Sequence, residues 1–140
     1  MNVTIILADS AQVAGGKLYL LGGNWRITNG RSPSVVVLLI EANWNEANRH
    51  FHFMIELIDA DGKLYTIETP NGSFPQKYFS QITFGRPAEL PVGSMLSETL
   101  IFQVPPLFTL KPTYSYEWRC TIDGEFAASK SFTTRPEQNL

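Results

Sequence analysis

The chain has 140 residues, which is enough for one domain and too short for two independent cores. Hydrophobic residues make up 44%, so a packed core can form and the chain is not a disordered segment. Charged residues make up 17% and the formal net charge is −2, whereas a protein that binds nucleic acid non-specifically normally carries a basic excess. These figures indicate a compact domain and argue against nucleic acid as a partner.

Cysteine content and apolar run lengths bear on the compartment. The single cysteine, Cys120, excludes an intramolecular disulfide, so the chain is not a disulfide-stabilised secreted scaffold. Residues 1–7 lack both the basic segment and the long apolar run of a signal peptide. The longest apolar run, residues 35–40, is far below the ~18 residues of a membrane span. We therefore expect a cytoplasmic protein with no membrane partner.

Period-two alternation and short β-branched runs, bounded by Gly, Pro and Asn, predict strands along most of the chain. Residues 44–49 suggest one or two helical turns, and residues 10–16 are predicted as a loop. The predicted strands, in chain order, are 2–8, 17–28 with a break at Gly22 and Gly23, 34–41, 50–59, 63–69, 76–84, 97–104, 113–122 and 125–134.

Alternation also predicts which side chains face the core. The predicted core face of the strand at 50–59 comprises Phe51, Phe53, Ile55 and Leu57. The predicted core face of the strand at 113–122 comprises Tyr114, Tyr116, Trp118, Cys120 and Ile122. The apolar run within 34–41 indicates burial on both faces, and a turn at 59–62 predicts that residues 63–69 return as the partner of 50–59.

Eight or nine short strands with frequent turn signals favour an antiparallel β-sandwich or barrel. The closing pair, an aromatic-rich strand, an Asp123-Gly124 turn and a final strand, favours an immunoglobulin-like Greek-key sandwich. We therefore predict an all-β fold with a single sandwich domain at residues 1–135 and a polar C-terminal tail at 136–140.

Residue types suited to metal binding occur without a complete ligand set. His50 and His52 share one strand face, but no third histidine exists and a zinc site needs three or four ligands. Asp59 and Asp61 resemble the start of a calcium loop, yet Pro70 stands where an EF-hand has its bidentate glutamate. We expect no metal site and no cofactor.

No arrangement of residues indicates catalysis. Cys120 is in register with Tyr116 and Trp118, which predicts a buried, inert thiol. The sequence has no G-x-S-x-G motif and no glycine-rich phosphate loop, and no spacing singles out a pair of carboxylates. We therefore expect no catalytic residue and a protein that is not an enzyme.

Aromatic residues exceed what a core of this size requires, and some of them suggest a partner-contact surface. The predicted contact residues are Trp25, Trp44, Phe74 and Tyr78. Exposed aromatic side chains on a sandwich can anchor a protein partner or stack on sugars, and packing in the core is the simpler alternative.

A sheet edge offers another route to association. Residues 3–7 carry no charge and no proline, although edge strands of monomers usually have such protection. Residues 35–40 likewise contain no charged residue and no proline. The sequence therefore predicts self-association, most simply as a two-fold dimer through a sheet edge or an apolar sheet face.

Several segments together resemble a known family. They are LADSAQV at residues 7–13, GKLYLLGGNW at 16–25, WNEANR at 44–49, LIDADG at 57–62, YEWR at 116–119 and IDGE at 122–125. The chain is similar along most of its length to a family of small uncharacterised proteins from bacteria and their phages, a domain of unknown function. The resemblance implies a bacterial or phage setting in the cytoplasm and carries over no site residue.

The leading functional hypothesis is a non-enzymatic module that binds a protein partner or associates with itself. One alternative is a structural or accessory phage component that assembles into a larger particle. Another is a carbohydrate or small-molecule binder that uses exposed aromatic residues.

Overall fold

The structure is a computed structural model that describes residues 1–137, and these residues are nearly all β. The three final positions of the predicted tail, residues 138–140, lie outside the described residues. Twelve strands and one 310 turn, Trp44–Glu46, are present in the described part. The strands are β1 Asn2–Ala8, β2 Ser10–Ala14, β3 Lys17–Leu21, β4 Ile27–Thr28, β5 Ser34–Ala42, β6 His50–Ile58, β7 Thr66–Thr69, β8 Gly72–Pro75, β9 Lys77–Thr83, β10 Leu96–Val104, β11 Ser115–Ile122 and β12 Glu125–Thr134.

Two sheets pack face to face around one core. The smaller sheet has the order β1-β5-β10, and the larger has the order β4-β12-β11-β6-β9. The short strand β4 pairs with β12 in parallel, and the other ladders within the two sheets are antiparallel. The all-β sandwich predicted from the sequence is confirmed, and its immunoglobulin-like Greek-key topology stays a prediction.

The core between the sheets contains the faces that alternation predicts. On β6 the four predicted residues are buried, from Phe51 to Leu57. On β11 the side chains of Tyr116, Trp118 and Cys120 are buried. Ile122 at the end of β11 and Tyr114, which comes just before it, are partly buried against the same cluster. This alternation on β6 and β11 leaves the intervening side chains on the outer face of the larger sheet.

Both faces of β5 are covered, as its continuous apolar run predicts. Val36 and Leu38 belong to the main core. Val35 and Val37 lie on the opposite side, in a second cluster with Ala8. The β2–β3 hairpin packs on that second cluster through partly buried apolar residues, namely Ala11, Leu18 and Leu20.

The prediction of a loop at residues 10–16 is wrong over its first five residues, which form β2. Gly15 and Gly16 have φ values of 57° and 73°, which suit a two-residue turn between hairpin strands. The hairpin is stabilised because its apolar side covers the outer side of β5. Residues 22–26 separate β3 from β4, so the predicted strand at 17–28 is divided near its glycine pair.

The prediction that residues 63–69 pair with β6 holds only next to the turn, where Leu64 forms an antiparallel bridge with Ile58 and the Tyr65 N–H donates a hydrogen bond to the Leu57 carbonyl at 2.8 Å. It is wrong for β7. The turn forms as predicted, because the Asp59 carboxylate accepts hydrogen bonds from the backbone N–H groups of Asp61 and Lys63, each at 2.9 Å. Beyond it, β7 pairs with β8 in a separate hairpin. Over residues 50–56 the edge of β6 that Leu64 bridges is occupied by β9 and the other edge pairs with β11, so β7 cannot continue along β6.

The uncharged strand β1, from which we predict self-association through a sheet edge, lies at an edge of the smaller sheet. One end of this edge is covered, because the Leu7 carbonyl accepts a hydrogen bond from the Asn24 N–H at 2.6 Å.

Candidate interaction surface

Two of the four predicted contact residues belong to the packed interior. The Trp25 ring packs edge-on against Phe132, with ring centroids 5.5 Å apart. The Tyr78 ring lies 6.2 Å from Trp118, and its hydroxyl donates a hydrogen bond to Gln76 Oε1 at 2.8 Å. Both rings are partly buried against the core, so they contribute to packing between the sheets and offer less surface to a partner.

The other two predicted contact residues lie far apart. Trp44 is in the 310 turn before β6, and the Arg86 guanidinium lies 4.9 Å from its ring centroid. Phe74, which is 51% exposed, is on β8, in the hairpin that follows the other end of β6. Because the nine residues of β6 separate the two places by roughly 27 Å, the four predicted residues do not converge.

The larger sheet carries a different aromatic feature on its outer face. Met54 on β6 pairs with Phe79 on β9 and with Thr121 on β11, and Thr121 pairs with Phe126 on β12. Directly paired residues of antiparallel strands point to the same face of a sheet. The four side chains therefore form a transverse row, which we call the outer-face row.

Both ends of the outer-face row are strongly exposed. Phe79 is 71% exposed and Phe126 is 65% exposed, while Met54 and Thr121 between them are partly buried. Three strand spacings of about 4.8 Å separate the two ends, so the row is about 14 Å wide. An apolar strip with an exposed ring at each end leaves unburied surface that a protein partner could cover.

A β-bulge places Phe126 in this row. The β11–β12 register shifts between Cys120 and Thr121, so Cys120 pairs with Ala128 whereas Thr121 pairs with Phe126. Ala127 is the extra residue of the bulge. Without it, Phe126 would pair with Ile122 and point to the inner face, since one residue of shift reverses the facing of a side chain.

Charged side chains flank the outer-face row on one side. In the adjacent set of paired residues, Glu56 on β6 lies between Lys77 on β9 and Arg119 on β11. Lys77 Nζ lies 3.6 Å from Glu56 Oε2, and Arg119 donates a hydrogen bond to Glu117 on its own strand. The surface thus has an apolar centre and a polar rim, which is the usual anatomy of a protein–protein interface.

The sequence of residues 3–135 matches a family of unknown function. This chain belongs to the DUF6941 family. The match confirms the resemblance to a family of unknown function, and a bacterial or phage origin stays a prediction. No curated protein matches the DUF6941 chain.

Among solved structures, the DUF6941 fold is similar to "a beta-glucuronidase from glycoside hydrolase family 2", with a TM-score of 0.42 and 10% sequence identity. The similarity covers 98% of this chain and 11% of the β-glucuronidase chain. At this level it assigns no role to the DUF6941 chain.

Two of the residues considered for metal binding, Asp59 and His50, make other contacts in the DUF6941 structure. Asp59 holds its own turn, and His50 Nδ1 lies 2.6 Å from Thr83 Oγ1. Within residues 1–137, no group of three or more His, Cys, Asp or Glu side chains is placed to hold a metal ion. In the same part of the chain, no helix has the length and apolar character to cross a membrane.

Cys120 is fully buried, as its register predicts. Burial raises the pKa of the Cys120 thiol from 9.0 to about 11, because a thiolate would lose its hydration in the core. The unfolded chain therefore loses this proton near pH 9, and the folded chain keeps it up to about pH 11.

We predict that the contribution of Cys120 to stability is fully present below pH 9 and declines between pH 9 and 11. In this window the unfolded state binds fewer protons, so the free energy of unfolding falls by up to about 1.4 kcal/mol per pH unit. Urea denaturation at pH 8 and pH 10.5 measures the effect, with Cys120→Ala as the control. Equal pH dependence in the two proteins would contradict the prediction.

Proposed function

We propose that this DUF6941 chain is a non-enzymatic protein-interaction module and that the outer-face row is its contact surface. The observation that carries the proposal is the exposure of Phe79 and Phe126 at the two ends of one apolar row. Aromatic side chains dominate the energetics of many interfaces because one ring buries a large area at a small cost in conformational entropy.

The surroundings of the row support this role. Met54 and Thr121 are partly buried and lie on paired strands, so the centre of the surface is ordered before binding. A pre-organised surface loses less conformational entropy on association. The charges of Glu56, Lys77 and Arg119 at the rim would add specificity and orientation more than affinity.

Among the alternatives, the chemistry of the row favours a protein over a sugar. The two exposed rings are phenylalanines, which have no hydrogen-bonding group, and Met54 between them is apolar. The hydroxyl groups of a sugar need polar partners, and within the row only the Thr121 hydroxyl supplies one, while the charged groups lie on one side of the row. An apolar patch on a protein matches the row better.

A second candidate is a component of a larger assembly, which would use the part of the β1 edge that the hydrogen bond between Leu7 and Asn24 does not cover. A particle subunit needs at least two contact surfaces, and the β1 edge lies on the smaller sheet while the outer-face row lies on the larger one. Strand addition at β1 would supply the second contact.

Site-specific photo-crosslinking tests the proposed contact surface. A benzophenone amino acid is placed at position 79 or 126, and in a control protein at Tyr19, which is 54% exposed on the β2–β3 hairpin. The labelled proteins are irradiated in extract from the cells that produce the chain naturally. We expect positions 79 and 126 to give the same protein adduct and position 19 to give none of it.

Competition makes the experiment specific for the row. An excess of unlabelled wild-type chain should remove the adduct, and an excess of the Phe79→Thr, Phe126→Thr double variant should not. Absence of an adduct at 79 and 126, or equal labelling at position 19, would refute the proposed surface.

A further inference from the structure

We propose that the partner that covers the outer-face row is a second copy of this chain. The two copies face each other across a two-fold axis, which is parallel to the strands and lies between the two larger sheets, above the gap between β6 and β11. The inference rests on the proposed contact surface and identifies its partner. It follows from the order of side chains across the larger sheet, which is self-complementary about that axis.

The rotation brings unlike ends of the row together. It places β6 against the partner's β11, and β9 against the partner's β12. Phe79 then faces the partner's Phe126, and Met54 faces the partner's Thr121. Each copy thus supplies both exposed rings, and the two ring pairs bury the surfaces that are 71% and 65% exposed in the single chain.

The same rotation pairs opposite charges. Glu56 and Arg119 are direct neighbours across the β6–β11 ladder, on either side of the proposed axis. The axis therefore sets Glu56 against the partner's Arg119 twice in each dimer. Carboxylate–guanidinium pairs are strong and directional, because both oxygens can accept from the planar guanidinium.

A two-fold axis perpendicular to the strands is less favourable. It would set Phe79 and Phe126 each against the same residue of the partner, and Arg119 against the partner's Asp123. The Asp123 carboxylate already accepts a hydrogen bond from the His52 backbone N–H at 2.8 Å. An axis along the strands leaves that bond intact, and its facing charges add to the Glu56–Lys77 and Arg119–Glu117 contacts that each copy already makes.

The size of the row predicts a weak dimer. A strip about 14 Å wide covers less than the roughly 800 Å² per partner of a standard interface. The net charge of −2 adds little repulsion between copies. We therefore expect a dimer weaker than those with interfaces of standard size, as in transient contacts.

Charge reversal tests the partner and the axis together. The variants are Glu56→Arg and Arg119→Glu, studied by sedimentation equilibrium with thermal melting to verify that each is folded. Alone, each variant sets like charges against each other twice, and we expect its dissociation constant to rise about tenfold or more. In a 1:1 mixture of the two, both facing pairs become attractive, and we expect dimer formation to return to about the wild-type level.

Each outcome decides a specific point. A wild-type chain that stays monomeric up to millimolar concentration would overturn the proposal that the partner is a second copy. If positions 79 and 126 then give adducts with a different protein, the proposed contact surface itself is still supported. Folded variants that dimerise like the wild type, or a mixture that fails to recover, overturn the axis along the strands.

Discussion

Replacement of Trp118 by alanine should lower the free energy of unfolding by about 3–5 kcal/mol, the usual cost of removing a buried Trp or Phe. Trp118 is 2% exposed, and its ring lies 6.2 Å from that of Tyr78 across the β11–β6–β9 part of the core. Urea denaturation measures the loss directly. In thermal melting, the same loss should lower the Tm by about 10–20 °C.

Two further variants control this experiment. Trp118→Phe keeps a ring in the core and should cost clearly less than alanine. Phe79→Ala removes a ring of similar size from the outer face, where it is 71% exposed, and should change the free energy of unfolding by less than about 1 kcal/mol. A Trp118→Ala protein as stable as the wild type would contradict the assignment of the inner face of β11.

The double variant Phe79→Thr, Phe126→Thr should lose self-association without losing stability. Each ring is an anchor of the proposed interface, and removal of an anchor costs about 2 kcal/mol of binding free energy or more. Loss of two rings per copy should raise the dissociation constant by at least about a hundredfold. Threonine keeps the strand preference of both positions, so the melting temperature should hardly change.

A matched double variant separates this effect from a general loss of exposed aromatic surface. Tyr19 and Phe108 are 54% and 73% exposed and lie outside the larger sheet, on β3 and in the loop after β10. Tyr19→Thr with Phe108→Thr should leave the dissociation constant at the wild-type value. Equal weakening by both double variants would argue against the outer-face row.

Much of the fold could be predicted because strand periodicity is a local signal. The alternation around Phe53 and Trp118 gave the inner faces of β6 and β11, and the continuous apolar run gave the double burial of β5. Pairing partners are not local. The sequence predicts the turn after residue 58, but the strands that pair with most of β6 are β9 and β11, which are distant in the sequence.

Of the two exposed rings of the contact surface, the sequence indicates the position of Phe79 and does not indicate that of Phe126. Tyr78 and Phe79 are adjacent aromatic residues on one strand, so only one of them can face the core. Ile82 and Phe84 share a face with Tyr78, and this signal alone predicts that Phe79 points outward. The outward orientation of Phe126 depends on the bulge at Ala127, and simple alternation counted from Phe132 does not reveal this bulge.

The most direct test of the contact surface between two copies observes the centre of the outer-face row. The chain has three methionines, so selective labelling with 13C at the methyl group gives three NMR signals. Met54 lies in the row, and Met95, 47% exposed in the loop before β10, serves as an internal control. On dilution from millimolar to micromolar concentration, we predict that the Met54 signal shifts and gains exposure to a soluble paramagnetic agent while the Met95 signal stays constant. A Met54 signal that does not change, or a Met95 signal that changes equally, would contradict a dimer through the outer-face row.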